Sequence, residues 1–421
     1  MKKSLFALAA VGALAGVAQA QSSVTVYGII DEGLTGGTNR STQGGAVNST
    51  AGVVKSTGFG LVQSGESTSR IGFKGVEDLG GGMSALFTYE TSVAPASTTL
   101  IGTTRQAFVG IKKNGVGSLL AGSQNTTIYD AVLASDPSGV NNFAGNLVTT
   151  GVVGAQGQAG SSTNIQNTYG MANNIGYNTR VANAVQFKSD QFAGFNARAM
   201  VIGAMKNSTQ TTSGGAGAGV GGQANVTGAG LGVDYSWTKL NLTANYQQYR
   251  ATSNTNSYST SAIMFGVGTD SNVGSSVAAG TNVVDAGTYL AANYDFGILK
   301  AYYQWINRKA TQANNSIYYT KYTANQIGVS AFVTPTIQVF GTAGIGKYQP
   351  SALFNGNGSI YAPGTTNLTA FQIGSNYFLS KRTNLYAIYG QAAQSNQAMT
   401  AGANPSAYNI NNYGVGIRHT F

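Results

Sequence analysis

The sequence contains no cysteine, and its 421 residues include one histidine and six prolines. The missing cysteine excludes a disulfide framework, a thiol nucleophile and a thiolate metal site. The lone His419 stands two residues from the end. Ser–His catalysis needs a histidine oriented by a third group, and a transition-metal site needs several strong ligands. No loop concentrates carboxylates as a calcium site would. Charge is scarce too: Asp, Glu, Lys and Arg make up 9% of the chain, against about 25% in ordinary soluble domains. The net charge is +10, but the basic residues are dispersed rather than gathered into a nucleic-acid-binding face. Beyond residue 20 no apolar run approaches the ~20 residues of a transmembrane helix. These absences argue against an enzyme, a resident cofactor or metal, and a nucleic-acid partner.

What is abundant is Gly (59) and Tyr (23). The first twenty residues, MKKSLFALAAVGALAGVAQA, pair Lys2 and Lys3 with an apolar run and a small-x-small ending at Ala18-Gln19-Ala20. That pattern predicts a secretory signal peptide, removed to leave a single domain over 21–421. An exported, Gly- and Tyr-rich chain without helical spans fits a transmembrane β-barrel.

The periodicity agrees. LNLTANYQ (240–247) puts Leu240, Leu242, Ala244 and Tyr246 on one face and Asn241, Thr243, Asn245 and Gln247 on the other. LKAYYQWINR (299–308) opposes Leu299, Ala301, Tyr303 and Trp305 to Lys300, Tyr302, Gln304 and Arg308. In a barrel the first set meets lipid and the second a wet lumen. Seven short turns are readable, at 78–83, 112–117, 190–195, 236–240, 295–299, 333–337 and 379–383. Asn114-Gly115 is the favoured type I′ pair. Long polar connections, roughly 36–65, 93–101, 125–178, 205–225, 251–281, 309–320, 348–365 and 391–407, alternate with them. Seven short and eight long connections join sixteen strands. An even count with both ends on one side closes without a free edge, as a bilayer requires. GAGVGG (217–222) formally matches a nucleotide-binding glycine motif, but it lies in a Ser/Gly/Ala loop and reads as linker. Tyr27, Trp237, Tyr294, Trp305, Tyr377 and Tyr413 recur near strand ends, as interfacial girdles do.

Four segments, QSSVTVYGIIDEGL (21–34), SRIGFKGVEDLGGGMSALFTYE (69–90), RQAFVGI (105–111) and GVGIRHTF (414–421), resemble the Gram-negative general porin family in order and in place. RVANAVQFKSDQFAGF (180–195) resembles a further hairpin of it. The resemblance implies an all-β, 16-stranded antiparallel barrel with short periplasmic turns and long external loops, the third of which folds into the lumen. It implies a homotrimer in outer-membrane lipid and lipopolysaccharide, passing small hydrophilic solutes. Phe421 resembles the family's signal to the barrel-assembly machinery. Where the family often has Gly-Arg-Gln after its fifth strand, this chain has Gly122-Ser123-Gln124 and so lacks one expected pore cation.

Pore selectivity comes from charges at the narrowest point, and strand phase says which side chains face in. Ile71 and Phe73 turn Arg70 inward; Val185 and Phe187 turn Arg180 and Lys188 inward; Arg198 is out of phase with Ala197 and Ala199. Asp31 and Glu90 are nearby inward acids, and Asp130 and Asp136 are the acids of loop 3. The expected constriction is therefore a basic wall of Arg70, Arg180 and Arg198, with Asp31 and Glu90 beside it, facing Asp130 and Asp136. Its transverse field would give a modest anion preference. A substrate-preferring porin of the same architecture, or a barrel with a mainly adhesive or structural role, are the alternatives.

Overall fold

The computed structural model describes residues 23–42, 53–95, 101–149, 176–207, 223–253, 282–313, 316–317, 319–351, 353–354, 360–361, 365–397 and 406–421. Residues 1–20, expected to be a signal peptide, residues 150–160 of the Gly-rich part of loop 3, part of the 93–101 connection and the 217–222 glycine motif lie outside them.

Seventeen strands form one antiparallel sheet that closes on itself. In chain order they begin with β1 (Ser23–Thr42), β2 (Val53–Gln63), β3 (Arg70–Gly80), β4 (Met83–Val93), β5 (Ile101–Lys113) and β6 (Gly117–Asn125). A helix, α1 (Thr127–Ser135), is followed by β7 (Arg180–Ser189), β8 (Phe195–Asn207), β9 (Gln223–Trp237), β10 (Leu240–Ser253), β11 (Asn282–Asp295), β12 (Lys300–Gln312), β13 (Tyr319–Thr334) and β14 (Ile337–Pro350). Two short segments, β15 (Leu353–Phe354) and β16 (Ile360–Tyr361), pair with each other outside the wall. The wall resumes with β17 (Thr366–Phe378), β18 (Thr383–Gln397) and β19 (Ser406–Thr420). Pairing of β1 with β19, from Ile29↔Thr420 to Ser41↔Tyr408, closes the barrel. All seven short turns fall where expected. The 112–117 turn has three residues between Lys113 and Gly117 rather than two, so it is not the type I′ hairpin suggested by Asn114-Gly115.

The seventeenth strand comes from a break in one stave. β2 and β3 lie along the same edge of β1, with Glu32 opposite Gln63 and Ile29 opposite Arg70. Seven steps along one strand answer three along the other, so four extra residues leave the wall. The barrel thus has sixteen staves, the second broken at residues 64–69. Most of the 36–65 region, expected as a loop, is the β1–β2 hairpin.

Alternation sets the two faces. Leu231, Val233, Leu242, Tyr246, Leu290 and Tyr303 are exposed on the outer face, whereas Asn245, Gln247, Gln304 and Gln326 are buried inside. The inner wall is not uniformly polar, however. Tyr289, Ala291, Ile306, Tyr322 and Ala324 face inward and are buried against Ile128, Val132, Leu147 and Val148 of loop 3. The apolar core of this barrel therefore sits within its lumen, between loop 3 and the wall from β11 to β14 and β17 to β19.

Candidate functional site

Loop 3 leaves the wall after β6 and forms α1, capped by Thr126, whose hydroxyl accepts from the Tyr129 amide. Thr at this position satisfies one of the helix's orphan amides. Ser135 Oγ and Tyr289 Oη share a 2.6 Å hydrogen bond that ties the end of α1 to β11. The chain then crosses the lumen. The Leu147 amide donates to Gln326 Oε1 (2.9 Å), and Tyr322 Oη donates to the Leu147 carbonyl (2.5 Å). Gln372 Nε2 donates to the Ala144 carbonyl, and the Ala144 amide donates to Asn412 Oδ1. Gly390 permits the closest approach: a Cβ there would stand 1.7 Å from the Ala144 carbonyl oxygen. The loop's return is locked by Arg308, which makes a bidentate pair with Asp285 and donates to Asn178 Oδ1 at 2.6 Å.

The 64–69 excursion enters from the other side. Asp31 organises it: its carbonyl accepts from the Ser64 amide, and its carboxylate accepts from the Ser67 amide and from Tyr386 Oη. Glu66 accepts from Asn384 Nδ2 at 2.9 Å. The tip meets loop 3, where the Asn142 amide donates to the Gly65 carbonyl. Loop 3 and the excursion therefore brace each other inside the lumen.

On the wall formed by β3, β4, β5 and β7 stands a charged cluster. Glu90 Oε1 accepts from Arg105 Nε at 2.7 Å and lies 3.9 Å from Arg70 Nη1. Tyr27 Oη donates to the other carboxylate oxygen at 3.1 Å, so this tyrosine belongs to the lumen rather than to an interfacial girdle. Arg70 also donates to the Thr68 carbonyl, tying the cluster to the excursion. Arg180 stacks its guanidinium 5.4 Å from the Tyr129 ring centroid, close enough for Arg70 to feel the charges of both Arg105 and Arg180.

Of the residues singled out from sequence, the structure brings Arg70, Arg180 and Glu90 together. The others lie elsewhere. Arg198 pairs with Asp234 (2.7 Å) on the next strand. Asp130 accepts from Lys188 Nζ (2.5 Å) and from Asn125 Nδ2. Asp136 is buried within loop 3, accepting from Ser138 Oγ, the Val140 amide and Asn146 Nδ2. Burial pushes its carboxyl above the ordinary value of 3.8, with those hydrogen bonds opposing the shift. Asp31 holds the excursion. Phe421 exchanges two backbone hydrogen bonds with Gly28, and its ring lies where a Gly28 Cβ would be.

Sequence phase missed Arg105. Counting in twos places it with Ala107, Val109 and Ile111 on the lipid side. The register jumps between Glu90↔Gln106 and Thr91↔Thr104, leaving Arg105 in a bulge that turns it inward. The Arg308–Asp285 pair was also passed over, although Arg308 had been read as inward. Among the described residues no three His, Cys, Asp or Glu side chains gather as a metal site.

A closed sixteen-stave barrel, a third loop folded into it and a basic cluster beside that loop are decisive together with one comparison: the model of the Gram-negative porin family matches residues 7–397. This chain belongs to that family. An outer membrane porin protein of Bordetella pertussis is 25% identical over the full length of both chains. Outer membrane porin protein 32 of Delftia acidovorans is 34% identical over 47% of this chain and 48% of its own. Major outer membrane protein P.IB of Neisseria meningitidis is 40% identical over 34% of this chain and 42% of its own. Among solved structures, the anion-selective porin from Comamonas acidovorans shares the fold at a TM-score of 0.60 and 22% identity, over 95% of this chain and 100% of that one. The trimer form of OmpT from Vibrio cholerae does so at 0.55 and 15%, over 95% and 99%. The porin described here is thus an outer-membrane channel of a family and fold whose members are channels rather than enzymes.

Proposed function

We propose that this porin is a homotrimeric passive diffusion channel for small hydrophilic solutes, with a weak anion preference. The observation that carries the preference is the pairing of Arg70 and Arg105 with the single carboxylate of Glu90, with Arg180 beside them on the Tyr129 ring. Asp130 and Asp136, the acids expected to face it, are occupied by Lys188 and by loop 3's own amides. The selectivity field is therefore a local excess of positive charge rather than a dipole across the pore. Arg198 adds less, because Asp234 offsets it. The solved anion-selective porin of the same fold is consistent with this reading.

Glu32 supports the trimer. It lies on the outward phase of β1, and among the described residues neither carboxylate oxygen, both of them covered, has a hydrogen-bond partner. A carboxylate on the outward phase is unfavourable against lipid, which favours a protein neighbour over hydrocarbon on this stretch of wall. For Phe421, its place at the seam where β1 and β19 close supports a role as the signal to the barrel-assembly machinery.

The test is the reversal potential across a planar bilayer in a KCl gradient, with single-channel conductance from the same recording. Stepwise conductance with anion-sided reversal is expected. Cation-sided reversal would overturn the assignment of the basic cluster.

A further inference from the structure

The outer wall carries a second candidate site. On β9–β12, two to six residues above the β9–β10 turn, lies a depression of about 370 Å³, within the ~300–1,000 Å³ range of small-molecule sites. Val233, Tyr235, Leu242 and Tyr303 rim it. Its floor is low because Ala244 and Ala292 stand on the outward phase where neighbouring strands carry large side chains: Ala244 is opposite Val233 and Leu290, and Ala292 is opposite Leu242 and Tyr303. The lining is almost wholly apolar, so a hydrophilic solute has no partner there.

Its position selects an occupant. Trp237 is 64% exposed at the lower end. Tyr294 and Phe296 pack edge-to-face nearby, with centroids 4.7 Å apart. Such aromatics mark the headgroup level of a bilayer. Lys239, in the turn between β9 and β10, holds its ammonium 3.9 Å from where a Cβ on Gly297 of the neighbouring turn would stand. A cation thus sits at the turn below an apolar groove on the lipid-facing wall. That arrangement matches a phosphate joined to an acyl chain. The short-turn end is periplasmic, and the leaflet there is phospholipid. The groove also lies half-way round the barrel from the β1–β19 seam, away from Glu32. We infer that this groove seats one acyl chain of a periplasmic-leaflet glycerophospholipid, with Lys239 engaging its phosphate.

The chain's only two tryptophans make the test direct. Trp237 stands below the groove, and Trp305 is the register partner of Leu290 at its upper edge. Folded trimer in dodecyl maltoside is titrated with phosphatidylglycerol carrying brominated chains, and tryptophan quenching is followed. Saturation at about one lipid per protomer is expected. The double variant Ala244→Leu/Ala292→Phe fills the groove and should raise the midpoint about tenfold. Lys239→Gln should raise it severalfold with the same final quenching. Quenching that never saturates in the wild type, or a filled groove that titrates like the wild type, overturns the inference. So does brominated lipid A saturating at lower concentration than phosphatidylglycerol. Native migration and heat-modifiability report folding of each variant. If the double variant does not fold, Ala292→Val carries the same test, and mass spectrometry of the wild-type protein counts retained phospholipid.

Discussion

Glu90 offers the sharpest test of the selectivity reading, because its replacement and that of Arg105 change the same cluster by one charge in opposite directions. Glu90→Gln removes the one carboxylate between Arg70 and Arg105; Arg105→Ala removes one of its guanidiniums. For an ion passing about 7 Å from the altered charge in water, Coulomb's law gives ~0.6 kcal/mol. Screening in 0.1 M salt, with a Debye length of about 10 Å, roughly halves this to ~0.3 kcal/mol. Chloride and potassium move in opposite senses, so their permeability ratio shifts by ~0.6 kcal/mol, or about threefold. Glu90→Gln should therefore raise the anion-to-cation ratio about threefold and Arg105→Ala should lower it by a similar factor. In 1 M salt, where the Debye length is about 3 Å, both shifts should nearly vanish.

The assay is the bilayer reversal potential of both variants at 0.1 and 1 M KCl, on protein whose heat-modifiability matches the wild type. Shifts of the same sign would refute the reasoning, since geometry rather than charge would then dominate. A ratio unmoved in both variants would place the ion path away from this wall.

Three further outcomes follow from the packing of loop 3. Gly390→Ala puts a methyl 1.7 Å from the Ala144 carbonyl oxygen; loop 3 must shift, lowering stability by about 1–3 kcal/mol and changing the single-channel conductance, and an unchanged conductance would refute that contact. Asp285→Ala strands Arg308 in a pair whose side chains are 3% and 2% exposed, so urea unfolding in micelles should reveal a loss of about 3–5 kcal/mol. Asp136 binds its proton more readily folded than unfolded; stability should therefore rise as pH falls through its raised folded pKa toward the ordinary 3.8, and Asp136→Asn should flatten that part of the melting-temperature profile.

Much of the wall was legible in the sequence, for a simple reason. Two-residue alternation and turn chemistry are local, so the phases of 240–247 and 299–308 and all seven short turns could be read directly. Inward orientation was legible for Arg70, Arg180 and Glu90 on the same grounds. Partnership was not. Lys188 meets Asp130 across 58 residues of sequence and Arg308 meets Asn178 across 130, and strand phase carries no information about which inward groups share a height. The apolar inner wall was hidden because Tyr289, Ile306 and Tyr322 are apolar on the phase that the pattern assigns to water; only loop 3's own Ile128, Val132 and Leu147 make sense of them.

The irregularities in mid-wall share one side of the barrel. The register jumps at Arg105, between Gly122 and Gln124, and by four residues between β2 and β3. Asn183 takes a φ of 54° beside the second of these. These lie on the wall from β1 to β7, where the basic cluster stands; the other shifts are beside the short turns, at Asp78/Gly80 and Phe332/Thr334, and near the far end of the β18–β19 pair, at Gln394/Gln397. From β8 to β14 the ladders run without a break above the short turns. A regular ladder fixes every second side chain and leaves no freedom to concentrate charge; a bulge releases one residue to the other face. The division follows from the two tasks of the wall. β9–β14 and β17–β19 form the surface on which loop 3 docks, and β1–β7 spend their regularity to place Arg105 beside Glu90 and the excursion beside Arg70. Deleting Gln106 would close the ladder with Arg105 opposite Glu90, on the inward phase that Gln106 holds, and Thr104 still opposite Thr91. It should therefore keep most of the anion preference that Arg105→Ala lowers; a reversal potential as low as that of Arg105→Ala would show that the bulge itself, and not the inward charge, sets the preference.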